Sequence, residues 1–255
     1  MSFLSSLKKT NTPHPRFPGL FLSIEGADGC GKTTLVKHLV DFFEKHHFPV
    51  IQTREPGGCP FGEELRSVLF SNTVHPDTQL LALFASRLEH VESVIVPALL
   101  DGKLVISDRF MDSSYAYQVK GSGANETLFD ELKAHIDTRV SVDLTLYVCA
   151  SYNTLLKRTR DRSALLHGPF ESRLQANPEF FEAVLDGFET CAEQAPERIH
   201  RINGEVDENE VFKEALFLID YYVRQRSAVK EETHSIHSSL EFCISDSIRS
   251  FSALR

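Results

Sequence analysis

Strand-like and helix-like patterns alternate along most of the chain. Apolar runs of the length expected for buried strands occur at 20–25, 50–53, 103–108, 144–148 and 198–202. Between and after these runs, apolar residues recur at helical spacing over 35–43, 61–70, 76–100, 127–137, 152–162, 180–194 and 207–226. This alternation predicts one α/β domain.

The two ends of the chain differ from the middle in composition. Residues 1–18 contain basic residues and prolines but no acid, and they predict a flexible basic lead-in. Residues 227–255 are rich in serine, yet helical spacing separates four apolar residues there, namely Leu240, Ile244, Ile248 and Phe251. This spacing predicts an amphipathic helix that could dock either on its own domain or on a partner protein. The pattern does not distinguish between these two alternatives. We expect the main domain over 19–226, with a lid at about 158–178 where glycine and proline interrupt the helical pattern.

Composition and charge narrow the possible partners. The chain has 255 residues, of which 42% are hydrophobic, and this suffices for a substantial core. A net charge of −9 argues against a sequence-independent nucleic-acid binder, because such proteins carry basic stripes. The five cysteines lack C-x-x-C spacing, and no apolar run approaches the roughly 18 residues of a membrane span. We therefore expect a cytoplasmic protein with neither nucleic acid nor membrane as a partner.

One glycine-rich segment matches the phosphate-binding P-loop pattern G-x-x-x-x-G-K-[ST] at every position. It joins the first predicted strand to the first predicted helix and consists of Gly26, Ala27, Asp28, Gly29, Cys30, Gly31, Lys32, Thr33 and Thr34. Glycines let backbone amides approach phosphate oxygens, and the start of a helix attracts an anion. The pattern predicts a nucleotide phosphate site, with Lys32 at the β- and γ-phosphates and Thr33 at a Mg²⁺ ion.

Other polar residues follow predicted strands or interrupt an apolar helix face. Arg54 and Glu55 lie in a turn-rich loop directly after the second strand, where open α/β sheets place their ligands. Asp108 ends the third strand, a position expected to organise Mg²⁺ or phosphate near a P-loop. Arg87 lies in the middle of an apolar helix face, where a guanidinium needs an anion or a polar edge to bind. All four are candidate site residues.

Two further segments have a structural interpretation beside the functional one. Asp112 or Ser113 is the expected N-cap of a helix that follows the third strand. The helix over 152–162 ends in the densest basic cluster of the chain, which consists of Lys157, Arg158, Arg160 and Arg162. This cluster fits the binding of polyphosphate, and it also fits the general preference for basic residues at the end of a helix.

Taken in order, these segments resemble the thymidylate kinase family of nucleoside monophosphate kinases, of the bacterial type. The matching stretches are residues 25–34, 53–58, Arg87 with 90–92, 108–110 with 112–114, and 116–118. The resemblance covers about residues 19–225. It implies transfer of the γ-phosphoryl group of ATP to dTMP, giving dTDP, on a doubly wound parallel sheet flanked by helices. It also implies Mg²⁺ as the cofactor and a homodimer as the assembly.

The resemblance further assigns roles by motif position. The expected residues for dTMP binding are Asp28, Arg54, Glu55, Phe84, Arg87, Arg109, Ser114, Tyr117 and Gln118. The expected catalytic residues are Asp28, Lys32, Arg54, Asp108, Arg109, Arg158 and Arg162, with Arg160 and Arg173 as further lid candidates. The expected metal-binding residues are Thr33, Asp28 and Asp108. Among these, Arg54 and Arg109 are expected to clamp the phosphate of dTMP, and Arg87 is expected to bind the thymine edge.

The chain departs from the family pattern at three places. Leu83 occupies the position of the thymine-stacking phenylalanine, and Phe84 follows one residue later. Ser122 occupies the position of an arginine, and the lid carries Ser172 and Gln175 where acids are typical. These differences leave two alternatives open beside a dTMP kinase. One is a kinase of the same fold for another nucleotide or nucleoside, and the other is a nucleotide-binding relative with little or no turnover.

Overall fold

The computed structural model of the protein describes residues 17–163 and 177–229, together with positions 240 and 244. The side chains of residues 160–163 and 226–229 are outside the described set. Most of the predicted terminal extensions and the centre of the predicted lid, including Ser172, Arg173 and Gln175, therefore lie outside the described residues.

The described residues form a five-stranded sheet whose pairs are all parallel. Its strands are β1 (Leu20–Glu25), β2 (Val50–Arg54), β3 (Leu104–Asp108), β4 (Leu144–Cys149) and β5 (Ile199–Asn203). Their spatial order is β2-β3-β1-β4-β5, so β2 forms one edge, β3 inserts between β2 and β1, and β4 and β5 extend the sheet on the other side of β1. This arrangement confirms the doubly wound α/β sheet, and it places the reversal of strand order at β1, where such sheets bind ligands.

Helices connect the strands and cover the sheet. They are α1 (Lys32–Lys45), α2 (Pro60–Ser71), α3 (Pro76–His90), α4 (Val96–Leu100), α5 (Met111–Ser114), α6 (Glu126–Asp137), α7 (Tyr152–Ser163), α8 (Pro178–Gln194) and α9 (Glu208–Val229). A π-helical turn, Val91–Ile95, lies between α3 and α4, so the single helix predicted over 76–100 has a widened turn inside it. A second π-helical segment, Tyr115–Gly121, follows α5.

Burial explains why the strand and helix patterns take these positions. All six residues of β1 are buried, as expected of a central strand with helices on both faces. On α1, buried Leu35, Leu39 and Phe43 recur at intervals of four residues, which places them on one face of the helix. Burying one such side chain contributes about 1.5–3 kcal/mol, so the amphipathic pattern is enough to hold α1 on the sheet.

The register of the central strands places polar residues together. Asp108 at the end of β3 pairs with Ile24 of β1 on one side and with Arg54 of β2 on the other. The P-loop begins two residues after Ile24, at Gly26. Parallel pairing therefore brings the P-loop, Arg54 and Asp108 to the same edge of the sheet, as their positions at strand ends predict.

The segment after residue 229 contacts the main domain at its two described positions. Leu240 and Ile244 are both helical and fully buried, and both belong to the same hydrophobic core as the sheet. At these positions the structure favours docking of the C-terminal segment on its own domain. None of the helices in the described part of the chain combines the length and the apolarity needed to traverse a lipid bilayer.

Candidate active site

The loop between β1 and α1 has the geometry of an anion site. Gly31 immediately precedes α1 with a φ of 106°, a left-handed conformation that a side chain would strain. Gly31 has no side chain to cap α1, so the first amides of the helix are available to an anion. Lys32 is only 6% exposed, and its Nζ donates to Ala27 O at 2.8 Å, which keeps the ammonium group against the loop. Thr33 Oγ1 donates to Asp108 Oδ2 at 3.1 Å, which connects the loop to the end of β3.

Two cavities meet beside this loop. The first, of about 590 Å³, is lined by Asp28 through Leu35 and by residues of β2, β3 and the chain around Gly204. The second, of about 390 Å³, is lined mainly by α2, α3, α5 and the π-helical segment Tyr115–Gly121. We call them the donor cavity and the acceptor cavity. Five residues belong to the lining of both cavities, namely Asp28, Gly29, Glu55, Arg66 and Arg109.

Asp28, Arg109 and Tyr117 form a compact polar cluster where the cavities meet. Arg109 Nη2 donates to Asp28 Oδ1 at 2.6 Å, and the Tyr117 hydroxyl donates to Asp28 Oδ2 at 3.0 Å. Burial alone would raise the pKa of Asp28, but the charges of Arg109 and Lys32 hold it below its usual value. Burial, with the charge of Asp28, raises the pKa of Tyr117 against the opposing charge of Arg109, so the phenol stays protonated and remains a donor. The cluster therefore holds one cation and one anion in a fixed orientation.

Arg109 adopts an unusual backbone conformation. Its φ is 75°, in the left-handed region that residues with a side chain rarely occupy. Arg109 N donates to Ile24 O at 3.0 Å, and Ser107 Oγ donates to Arg109 O at 2.6 Å. A conformation of this kind costs on the order of 1–3 kcal/mol and persists only where the surroundings fix it.

Two further arginines approach the same junction from β2 and α2. Arg54 pairs with Glu63 at 2.9 Å, and Glu63 also accepts from Gly58 N at 3.0 Å. Arg66 donates to Pro56 O at 2.8 Å and lines both cavities. Burial and the nearby charge of Arg54 lower the pKa of Arg66, against the opposing charge of Glu63. Arg54, Arg66 and Arg109 thus place three guanidinium groups near the junction, which suits a phosphate group.

The sequence analysis did not select Arg66. A signal was available, because Arg66 lies three residues after Glu63 on α2 and three residues apart is one turn of the same helix face. That signal becomes informative only once the loop that follows β2 is known to fold back over α2.

Arg87 lines the acceptor cavity and belongs to a buried hydrogen-bonded network. Its Nε donates to Glu55 Oε2 at 2.7 Å, and its Nη2 donates to Phe110 O at 3.0 Å and to Ser114 Oγ at 2.8 Å. His90 Nδ1 lies 3.0 Å from Glu55 Oε1. The network provides the anion that sequence analysis required for Arg87, and that anion is Glu55.

The remaining expected residues divide into three groups. Ser114 and Gln118 line the acceptor cavity. Arg158 lines the donor cavity and donates from Nη1 to Gly204 O at 2.8 Å, whereas the side chains of Arg160 and Arg162 lie outside the described residues. Phe84 lines neither cavity. It is 4% exposed and packs between the Phe129 ring and the Arg87 guanidinium, and Leu83 lines the acceptor cavity instead. A direct contact between Phe84 and dTMP therefore stays a prediction, and Leu83 is the neighbour that the cavity lining favours.

The predicted N-cap is wrong. The helix α5 begins at Met111, after Phe110, with no side-chain cap. Asp112 instead accepts two hydrogen bonds of 2.8 Å from Arg198, which ends the turn before β5. The Ser113 hydroxyl donates to Glu25 Oε2 at 2.5 Å. Both side chains thus face the interior, because partners 86 and 88 residues away compete successfully with the local amides.

Comparisons with known proteins agree with this geometry. The sequence model of the family described as thymidylate kinase matches residues 24–215. A thymidylate kinase of Acinetobacter baylyi is 42% identical over 203 residues, which cover 77% of this chain and 96% of that protein. A thymidylate kinase of Nitrosomonas europaea is 39% identical over 188 residues, or 73% of this chain and 85% of that protein.

A solved structure shows the same relationship. The crystal structure of thymidylate kinase from Ehrlichia chaffeensis superposes with a TM-score of 0.65 at 32% identity. The match covers 79% of this chain and 98% of that one. From the P-loop, the strand order and these matches together, the chain belongs to the thymidylate kinase family.

Proposed function

We propose that this chain transfers the γ-phosphoryl group of ATP to dTMP, which gives dTDP and ADP. The observation that carries the proposal is the junction of the two cavities at Asp28, Arg66 and Arg109, with the P-loop along one cavity and the Arg87 network along the other. Phosphoryl transfer requires in-line positioning and neutralisation of charge rather than covalent chemistry. Two cavities that share a cationic wall are suited to both requirements.

On the donor side, we assign the polyphosphate of ATP to the P-loop. The loop amides and the start of α1 would bind the phosphate oxygens, and Lys32 would neutralise charge on the β- and γ-phosphates. Arg158 lines the same cavity and is the lid arginine that the described structure supports. Its contact with Gly204 O positions it beside the loop.

We also propose Mg²⁺ as the cofactor, held through Thr33 and Asp108. A hydroxyl and a carboxylate 3.1 Å apart offer the oxygen ligands that this ion prefers. The described residues contain no group of three or more His, Cys, Asp or Glu side chains suited to a metal ion. That donor set fits an ion that takes its other ligands from water and phosphate, where it would neutralise charge on the phosphates. Both oxygens of Asp28 have protein partners, which favours a role in orienting Arg109.

On the acceptor side, the phosphate of dTMP would lie at the junction and the base in the depth of the cavity. Arg109, Arg66 and Arg54 would surround the phosphate. Within the described part of the chain, Arg87 Nη1 donates to the weak acceptor Met111 Sδ at 3.6 Å. It therefore retains donor capacity for a carbonyl at the base edge. Tyr117 and Gln118 line the cavity between these ends and would contact the sugar and the base.

We also propose the extent of the main domain, the assembly and the location of the protein. The main domain would cover 19–226, in line with the family match over 24–215. A homodimer would use the exposed apolar side chains on α2 and α3, which are Phe61, Val68 and Leu81. The relationship to bacterial enzymes of nucleotide synthesis supports the cytoplasm as the location.

The direct test is steady-state formation of ADP from ATP and Mg²⁺, with dTMP, dUMP, dCMP, UMP, dGMP and thymidine offered separately. A kcat/KM for dTMP that exceeds those for the others is the expected result. Turnover that prefers another acceptor would assign a different kinase activity to the same fold. Absence of turnover with all of them, together with measurable ATP binding, would contradict the proposal.

A further inference from the structure

Glu25 is a buried carboxylate that the proposed reaction does not use. It ends β1 directly before the P-loop and is 1% exposed. Its Oε1 accepts from Ser23 Oγ at 2.8 Å and from Phe110 N at 2.7 Å, and its Oε2 accepts from Ser113 Oγ at 2.5 Å. Burying a carboxylate costs free energy, because the group loses its hydrogen bonds to water, and these three hydrogen bonds offset part of that cost.

Two of these three hydrogen bonds reach the immediate surroundings of Arg109. Phe110 follows Arg109 in the chain, so the bond to Phe110 N fixes the peptide on the C-terminal side of the left-handed residue. The Ser113 hydroxyl, which donates to Glu25, accepts from Arg109 Nη1 at 2.9 Å. The same carboxylate is therefore linked to the backbone of Arg109 and, through one hydroxyl, to its guanidinium.

The other contacts of the guanidinium show what this linkage controls. Arg109 Nη1 also donates to Gly26 O at 2.9 Å, and Nη2 donates to Asp28 Oδ1. The Arg109 guanidinium thus bridges the P-loop to α5 at the junction of the two cavities. The nearby acid Asp112 is paired with a different cation, Arg198. Glu25 is instead connected to Arg109, through the Ser113 hydroxyl.

We propose that Glu25 is a positioning residue for Arg109. Its carboxylate fixes the backbone turn at Arg109 through Phe110 N and the direction of the guanidinium through the Ser113 hydroxyl, and it thereby sets where the acceptor phosphate binds. This inference rests on the proposed function, since it concerns how that site holds dTMP. Glutamine cannot replace the carboxylate fully, because its amide nitrogen donates where Oε1 or Oε2 now accepts.

The test compares Glu25→Gln with Ser23→Ala as a matched control. Ser23 is buried and its hydroxyl bonds to Oε1 of the same carboxylate, but that hydroxyl bonds neither to Arg109 nor to Ser113. We expect Glu25→Gln to raise the KM for dTMP about tenfold or more and to change the KM for ATP less than about threefold. Ser23→Ala should leave both constants near those of the wild type. Equal changes in the two KM values of Glu25→Gln would assign Glu25 a purely structural role and overturn the proposal.

Ser113→Ala provides a second test that leaves the buried carboxylate in place. It should reproduce the selective rise in the KM for dTMP, and the effects of Glu25→Gln and Ser113→Ala should be strongly non-additive in the double variant. Additive effects would show that Ser113 does not transmit the influence of Glu25 and would overturn the proposed linkage. Wild-type turnover with dTMP, measured in the same assay, separates the proposed function from the proposed role of Glu25. Its absence would refute the proposed function, whereas its presence with unselective variants would refute only the role of Glu25.

Discussion

Replacing Glu25 by glutamine should change how the stability of the fold depends on pH. Burial, followed by the charge of Asp112, raises the pKa of Glu25 from 4.5 to about 7. Hydrogen bonds from Ser113 and Ser23 and the charge of Arg109 oppose this rise without cancelling it. Glutamine remains neutral at every pH of interest, so the variant lacks this titration while it keeps the shape of the side chain.

The size of the effect follows from the shift. Because the folded-state pKa is raised, the stabilising contribution of Glu25 is fully present below pH 4.5 and is lost as the pH rises through about 7. Each unit of difference corresponds to about 1.36 kcal/mol, so the contribution lost is about 3 kcal/mol. Most of that loss falls between about pH 5 and pH 7, and little change from Glu25 remains above about pH 8.

Urea unfolding between pH 5 and pH 8 measures this contribution. The free energy of unfolding of the wild type, minus that of Glu25→Gln, should decrease by about 3 kcal/mol across the range. Glu44→Gln is the matched control, since it removes an exposed carboxylate from α1. A pH dependence for Glu25→Gln no larger than that for Glu44→Gln would refute the reasoning.

Three other changes test separate parts of the site and fold. Lys32→Ala should lower kcat about 100-fold or more without unfolding the protein, because it removes the cation of the P-loop; near-normal turnover would exclude the loop from the mechanism. Arg87→Ala should raise the KM for dTMP by about tenfold and leave that for ATP nearly unchanged, and an equal effect on both would contradict its place at the base. Ile244→Ala should lower the free energy of unfolding by about 2–5 kcal/mol, because this side chain is fully buried. A negligible loss in urea unfolding would show that the C-terminal segment does not pack on the domain in solution.

Patterns within the sequence were sufficient for the sheet and the P-loop. Apolar runs and helical spacing depend on neighbours a few residues apart, and that range also decides which segments become strands or helices. The P-loop is likewise local, since Gly26 through Thr34 are contiguous. The ends of β2 and β3 could be placed at one edge because parallel strands share their direction, which is why Arg54 and Asp108 were found together.

The sequence was not sufficient for residues whose partners are distant along the chain. Asp112 was expected to cap a helix, but its partner Arg198 is 86 residues away and only the folded sheet brings the two together. Phe84 and Leu83 are adjacent, and helical spacing alone does not say which of two neighbours faces a cavity and which faces the Phe129 ring. Glu25 was read simply as the end of a strand, because its partners Phe110 and Ser113 become neighbours only when β3 pairs with β1.

The register of β1, β2 and β3 has a consequence for folding. The proposed phosphate site needs residues near positions 26, 54 and 108, so it is absent from any partly folded chain in which these strands have not paired. A slip of β3 by one residue would turn the Asp108 side chain to the opposite face and would break its contact with Thr33. Bound nucleotide would therefore stabilise only chains with the correct register, and nucleotide supplied during refolding would favour the native pairing over slipped ones by mass action.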